Sequence, residues 1–504
     1  MPPCSQSQAR KLALDNKPAD TITKFKRLFE PRSVAFLGAS SDPIKWGFRI
    51  LANLVDGGFQ GRVYPVNPGK GEILGLKVYE SVGDIPETPD LAVIVVPPPS
   101  VPRVLKECVD KGIQAGVVVT AGFAEIGEEG ERLQQEIVDI GHSGGMILVG
   151  PNSFGILNPW SRLYVQMPGT FPPPGPVAVL SQSGNIVETI FRLAMAGGFG
   201  CSKCISSGNE ADLQSQDYLE YLADDPKTRV ILCYTEGFRD GRRFLQTAKE
   251  VTKRKPVVML KAGETPAGAR AAKSHTASLA GSDAVFDAMR KQAGVIRARS
   301  LDELVDIGKA FLCHPLPPGR RVAIATTAGG WGALAADACA KLGLEVVSLP
   351  PETIAELDTF LPAWWNRGNP VDLVAGVFAD VMNKCVDTLL RCPVVDAVIM
   401  LGVMPQVPPE QYRRSTDEQE KEQRREVFIT AVVDVFDHLS ELANRYKKPV
   451  VAASQRLSNS PRLISRIART LGERNAVYYD MPHQAAVALA SLAEYSEYLR
   501  QGDA

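Results

Sequence analysis

Three times along this chain a short apolar, β-branched run ends in a turn of small residues and passes directly into a helical period. The three stretches are SVAFLGAS (33–40), VAVLSQSGNIVETIF (177–191) and RRVAIATTAGGWGALAADACAKLG (320–343). A strand followed at once by a helix cannot pair in a hairpin; it is the opening of a parallel crossover unit. More apolar strands follow each opening, among them LAVIVVPPPS (91–100), VILCYTEG (230–237) and VVDAVIMLGVMP (394–405), with helical stretches between them. Such alternation requires a parallel sheet covered by helices on both faces. The expectation is an α/β chain of three Rossmann- or flavodoxin-like parallel-sheet modules. At 504 residues the chain also exceeds what one core holds.

The boundaries follow from composition. Residues 1–22 are polar and read as a tail, 23–155 as the first module, 170–313 as the second and 318–504 as the third. The proline-rich pieces at 169–176 and 313–319 read as linkers, and the charged run at 410–427 as a solvated helical insertion. A net charge of −1 offers no footprint for nucleic acid or an anionic membrane. Without a long apolar run or an apolar amino-terminal segment, the cytoplasm is expected. The nine cysteines read as buried thiols, and Cys201 and Cys204, three apart on a strand, are expected on opposite faces. No metal site is expected.

In a parallel sheet, ligands bind at the carboxyl ends of the strands. Those ends carry Gly38 to Ser40, Asn67 to Lys70, Pro97, Thr120 to Gly122 and Pro151 to Ser153 in the first module. A small-residue turn entering a helix offers free N–H groups and the positive end of the dipole to an anion. The chain has three: Gly38 to Ser41, Ser181 to Gly184, and Thr326 to Gly330. Lys70 is a point cation in a turn, suited to a phosphate, and Pro97 begins a rigid apolar wall for an adenine or a pantetheine arm. A dinucleotide cofactor is disfavoured, since the second strand ends in Val66-Asn67-Pro68 without the acid that holds a ribose.

His275 lies among Ser274, Thr276, Ser278 and alanines, open to approach and without a second metal ligand nearby. As a phosphoryl acceptor it needs a carboxylate to orient its ring. Glu236 ends an apolar strand in the same module, with Glu210 and Asp212 as rivals. His142, His314, His438 and His483 have no such setting.

The ordered set SVAFLGAS, VNPGKG, VVPPPS, TAGF, GPNSFG, LSQSGN, YTEGFRDG, KSHTASLAGSDAVF, TTAGGWG and NPVD resembles the nucleoside-diphosphate-forming acyl-CoA synthetases. The similarity is to the α subunit of the ADP-forming acetyl-CoA synthetases, and through it to succinyl-CoA synthetase. It runs from about residue 25 to the end. The resemblance implies that phosphate cleaves acyl-CoA to an acyl phosphate, that a histidine takes the phosphoryl group, and that an ATP-grasp domain passes it to ADP. By motif, it makes His275 the phosphorylated residue and Glu236 its partner. It places Gly38, Ser40, Lys70, Pro97 and Asn152 at CoA, beside the strand-end residues Thr120 and Gly122. Ser181, Ser183 and Gly184 fall at one phosphoryl cradle, Gly329 and Gly330 at a second. It further implies an ATP-grasp β subunit carrying Mg2+ with ADP or ATP, in an α2β2 assembly. Asn185, Thr327, Trp331, Trp364 and Trp365 depart from the family pattern on the expected phosphate and acyl side. A CoA-binding regulator that keeps the fold without catalysis is the competing expectation.

Overall fold

Strand β1 (Ser33–Leu37) is buried at all five positions, and β2 (Arg62–Val66) and β3 (Leu91–Ile94) pair with it in parallel on either side. Adding β4 (Ala115–Val118) and β5 (Ile147–Val149) gives the order β2-β1-β3-β4-β5. A computed structural model describes residues 19–69, 71–275, 282–374, 379–403, 417–454 and 461–503. Helices α1 (Ala19–Phe29), α2 (Trp46–Asp56), α3 (Val101–Asp110) and α4 (Glu128–Ser143) accompany this sheet. In α3 the buried residues Val101, Val104, Leu105 and Cys108 mark one apolar stripe at helical spacing.

The second sheet has seven strands. The hairpin β6 (Gly155–Asn158) and β7 (Leu163–Gln166) joins β8 (Pro174–Ser181), β9 (Cys201–Ser206), β10 (Val230–Thr235), β11 (Val257–Lys261) and β12 (Ile296–Ala298). The order is β12-β11-β10-β8-β9-β6-β7, with β6 antiparallel to β9. Its helices are α5 (Gly184–Ala196), α6 (Ser215–Asp224), α7 (Gly241–Thr252), α8 (Pro266–His275), α9 (Asp283–Ala293) and α10 (Leu301–Cys313).

The third sheet runs β14 (Glu345–Val346), β13 (Arg321–Thr326), β16 (Ala397–Leu401), β17 (Val450–Ala453), β18 (Tyr478–Tyr479). A short β15 (Val371–Asp372) pairs with β13 beyond β14. Helices α11 (Gly329–Lys341), α12 (Pro351–Asp358), α13 (Ala379–Arg391), α14 (Glu418–Tyr446), α15 (Pro461–Glu473) and α16 (Pro482–Asp503) complete it. The expected three parallel-sheet modules are present. Among the described residues no helix is long and apolar enough to cross a membrane.

Several expectations need correction. Helix α1 begins at Ala19, inside the stretch read as a tail, because Phe25 and Phe29 stack on Tyr221 of the second module at 4.8 and 5.1 Å. Part of the first proline linker is strand: β8 starts at Pro174, at the strand end where a missing N–H is tolerated. Cys201 and Cys204 do not face apart. The partners of Val177 and Ala178 are Cys201 and Lys203, so Ser202 is an extra residue and β9 bulges. The bulge restores both cysteines to one apolar cluster, where their thiols interact and, after burial, that contact raises Cys204 further. Of the charged run at 410–427, residues 410–416 lie outside the described residues, and from Glu418 onward it opens α14.

The bulged strand also carries a buried charge. Lys203 Nζ lies 2.7 Å from Asp225 Oδ2, with side-chain exposures of 1% and 6%. Burial raises the Asp225 carboxyl, but the Lys203 and Thr228 hydrogen bonds more than offset this and hold it below its ordinary range. The ionised pair therefore stabilises the fold above the ordinary carboxylate range, and that contribution is lost as pH falls through the depressed value. Lys203→Met strands the carboxylate and is expected to cost about 3–5 kcal/mol at neutral pH. Urea unfolding at pH 7 and pH 4 checks this, with a smaller deficit expected at pH 4, where Asp225 is closer to neutral in the variant.

Candidate active site at the junction of the first two modules

The carboxyl ends of β1, β3 and β4 open into a cavity of about 990 Å³ that continues to the first turn of α5 in the second module. Of the first-module candidates, Gly38, Ser40, Pro97, Thr120 and Asn152 line it; Ser183 and Gly184 line its far end. Gly122 does not line it. A Cβ at Gly122 would come within 2.8 Å of Pro98 Cγ, so this glycine permits a close loop contact. Lys70 lies outside the described residues.

The first-module wall is fixed by backbone approach. Gly38 has φ +92°, and a Cβ there would stand 2.6 Å from the Val95 carbonyl oxygen. Asn67 Nδ2 donates to the Ala39 carbonyl at 2.7 Å, and Thr120 Oγ1 to that of Val96 at 2.7 Å. Asn152 donates from Nδ2 to Asn209 Oδ1 at 3.2 Å, and Asn209 Nδ2 donates to Glu125 Oε2 at 2.6 Å. Burial pushes the Glu125 carboxyl up, yet the bonds from Asn209 and the Gly122 N–H leave it below its ordinary range. This chain of polar groups crosses from first module to second, and Glu125 and Asn209 were not among the sequence candidates.

At the far end, α5 starts at Gly184 with Ser183 as its N-cap, and no side chain caps it. Its first-turn N–H groups have no helical partner and suit an anion. Ser181 is fully buried and shapes the turn instead of lining the cavity: its Oγ donates to the Ser183 carbonyl at 2.8 Å and accepts from the Ser183 N–H at 3.1 Å. A Cβ at Gly184 would overlap Phe154 Cβ at 2.3 Å. Phe154, Met167 and Asn185 line this end of the cavity.

Glu236 follows β10 and is 4% exposed. Its backbone N–H donates to Gln182 Oε1 at 2.6 Å, and Tyr234 Oη donates to its Oε1 at 3.4 Å. Burial, and then the Glu236 charge, pushes the Tyr234 phenol up to about 12. The rival acids are otherwise engaged. Asp212 accepts from the Leu148 N–H at 2.7 Å and lies 2.8 Å from His142 Nε2. Glu210 is buried, accepts from Ser207 Oγ and Ser215 Oγ at 2.8 and 2.6 Å, and is raised by that burial. His314 is enclosed, and burial lowers it to about 4.

His275 is the last residue of α8; its side chain and residues 276–281 lie outside the described residues. The segment departs from the same sheet end as Glu236, because the Ala262 N–H after β11 donates to the Thr235 carbonyl at 2.9 Å. Arg297 on β12 clasps both flanks of the segment, with Nη2 2.7 Å from Glu264 Oε1 and 2.8 Å from Asp283 Oδ1.

Gly329 and Gly330 begin α11 in the third module and do not line the cavity. Asp372 of β15 lies against the start of α11, its Oδ2 2.7 Å from where a Gly329 Cβ would stand. Two of the unusual tryptophans are packing residues. Trp331 packs on the third module's apolar core, and Trp365 is 2% exposed with Nε1 donating to Asp358 Oδ1 at 2.7 Å. Trp364 is 74% exposed.

Sequence reasoning missed the cavity mouth. Lys45, Trp46 and Arg103 line it, and Arg49 lies 4.7 Å over the Trp46 ring. Trp46 carried only its helical period as a signal, and that period says nothing of its exposed edge.

Residues 32–159 match the family described as CoA binding domain, 174–311 the succinyl-CoA ligase like flavodoxin domain, and 322–442 the ligase-CoA domain. Over 378 residues the chain is 46% identical to acetate–CoA ligase (ADP-forming) II subunit alpha of Pyrococcus furiosus, covering 75% of this chain and 82% of that one. It is 34% identical to 4-hydroxybutyrate–CoA ligase (ADP-forming) of Nitrosopumilus maritimus, over 94% of this chain and 64% of that longer one. The structure of dinucleotide forming acetyl-coenzyme A synthetase 1 from Ca. Korarchaeum cryptofilum, in complex with phosphate and ADP, aligns with a TM-score of 0.81. That alignment has 34% identity and covers 96% of this chain and 99% of that chain.

Gly184→Ala must push Phe154 into the cavity or shift α5. The overpacking is expected to cost about 1–3 kcal/mol. Thermal melts, with calorimetric titration of CoA, check for a stability loss coupled to weaker binding.

Proposed function

The chain belongs to the ADP-forming acyl-CoA ligase family, and we propose that it is the subunit that carries CoA, acyl and phosphoryl chemistry in such an enzyme. The observation that carries this reading is the single cavity joining the CoA-type strand ends of the first module to the α5 N-terminus of the second. CoA lies along the first-module wall with Gly38, Ser40, Pro97, Thr120 and Asn152, and Lys70, outside the described residues, is the cation assigned to one of its phosphates. Its thioester then reaches Ser183 and Gly184, where the open N–H groups of α5 hold phosphate.

There a phosphate oxygen attacks the thioester carbonyl, the C–S bond breaks, and CoA leaves as thiolate and takes a proton. The helix terminus supports the charge that develops on the phosphoryl oxygens. A ring nitrogen of His275 attacks phosphorus, the bond to the acyl oxygen breaks, and the carboxylic acid departs as carboxylate. Glu236 orients the imidazole and balances the positive ring. Phosphohistidine then gives its phosphoryl group to the terminal oxygen of ADP, breaking the P–N bond and forming ATP; the sequence of steps is reversible.

The nucleotide step falls to a separate ATP-grasp subunit, which brings Mg2+ with ADP. A relative named as subunit alpha, of which this chain covers 82%, supports that division. An α2β2 assembly is the expected form, with Gly329 and Gly330 as the second phosphoryl cradle.

Incubating the chain with acetyl-CoA and labelled phosphate is expected to yield an acid-labile phosphoryl group on His275, absent from His275→Ala. Glu236→Gln is expected to slow labelling by about 10²-fold. CoA binding with no label on the wild-type chain would identify a CoA-binding regulator instead.

A further inference from the structure

The phosphoryl turn after β8 and the small-residue turn after β13 share one construction. In each, the last strand residue closes the turn through its hydroxyl: Ser181 Oγ donates to the Ser183 carbonyl and Thr326 Oγ1 to that of Ala328, both at 2.8 Å. The following N–H donates to the neighbouring strand, Gln182 to Tyr234 at 3.3 Å and Thr327 to Leu401 at 3.1 Å. The side chain of that same residue crosses to the neighbouring strand's exit. Gln182 Nε2 donates to the Gly237 carbonyl at 2.8 Å, and Thr327 Oγ1 to that of Gly402 at 2.9 Å.

The two differ in one respect. Thr327 ties its exit loop through this donated bond, whereas Gln182 also receives. Its Oε1 accepts the Glu236 N–H at 2.6 Å and the Gly237 N–H at 3.3 Å. Gln182 also lines the cavity beside Ser183. One amide thus holds the backbone that bears Glu236 to the turn that opens α5, by bonds in both directions.

We propose that Gln182 is a positioning residue that fixes Glu236 relative to the phosphoryl turn, so that carboxylate, imidazole and phosphorus meet in one geometry. The inference rests on the proposed roles of His275 and Glu236. Its physical basis is the steep cost of misplacement in group transfer, where about 1 Å is worth roughly 10²-fold in rate. An exit loop released from Gln182 keeps Glu236 on the chain but leaves its carboxylate free to adopt other positions.

The test uses the full chain with acetyl-CoA and labelled phosphate in single turnover, comparing wild type with Gln182→Met, which keeps length and loses both hydrogen-bonding atoms. The expected result is a saturated labelling rate lower by about 10- to 100-fold, with KM for acetyl-CoA and the calorimetric Kd for CoA within about twofold of wild type. A saturated rate within about threefold of wild type, or a loss carried by KM or by CoA affinity, overturns the proposal. Should Gln182→Met not fold, Gln182→Ala is read on the same quantities. If the wild-type chain takes no label, the functional reading fails and this inference with it; if wild type labels and the variant keeps its rate, Gln182 alone is misassigned.

Discussion

The first turn of α5 has backbone N–H groups that no helical carbonyl can reach, and its N-cap, Ser183, supplies no side-chain acceptor. That unsatisfied end is what the surrounding structure is arranged around. Ser181 spends its hydroxyl on closing the turn, so the amides stay open. Gly184 lacks a side chain because Phe154 occupies the adjacent space. Phe154 in turn belongs to the segment that links the two modules, and its N–H is held by Ser206 Oγ at 2.9 Å. A helix terminus is electrostatically useful only where water is partly displaced, and here the displacing groups come from a different module.

That dependence makes the module junction part of the site. The hairpin β6–β7 follows the first module yet completes the second sheet. Gly208, with φ +58°, lets the second module's chain pass where a Cβ would lie 2.2 Å from the Pro151 carbonyl oxygen. Asn209 N–H and Ala211 N–H donate to the carbonyls of Pro151 and Gly150, next to Asn152 in the cavity wall. A comparable tie fixes the third module. From α16, Tyr495 Oη donates to the Thr252 carbonyl at 2.5 Å and Glu494 pairs with Arg290 of α9, both in the second module. Such ties act beside apolar packing that crosses the module boundaries: one buried cluster holds Phe25 and Val34 of the first module with Tyr218 and Phe244 of the second, and Tyr495 of the third joins the second module's core.

The modules and their turns were legible because a parallel strand and a small-residue helix start are local patterns. The cavity candidates Gly38, Ser40, Pro97, Thr120 and Asn152 followed from one topological rule about strand ends. What was not legible depended on partners distant in sequence. Gly122 ends a strand like the others, but its contact is with Pro98. The β9 bulge turns on a register with β8 that neither strand carries alone, so Cys201 and Cys204 were assigned to the wrong faces. Trp331 and Trp365 altered familiar loops, yet both point into packing, a distinction set by the cores they meet. Short strands of four residues, such as β6 and β7, have too little pattern to separate from turns.

The sequence favours Glu236 over its rivals Glu210 and Asp212, and the contacts of the three carboxylates differ. Asp212 and Glu210 each lie within a few residues of a strand end, as Glu236 does, and each is acidic in a glycine-rich setting. Asp212 is drawn to the end of α4 by His142 and to β5 by the Leu148 amide, so moving it would release two elements. Glu210 is buried, which raises it, and its Oε1 is taken up by two serine hydroxyls that tie it to its own loop and to α6. Glu236 is held by its backbone, through Gln182, and its carboxylate accepts from Tyr234 Oη at 3.4 Å. For the proposed role beside an imidazole, a main-chain anchor of this kind fixes where the carboxylate stands relative to the turn that opens α5.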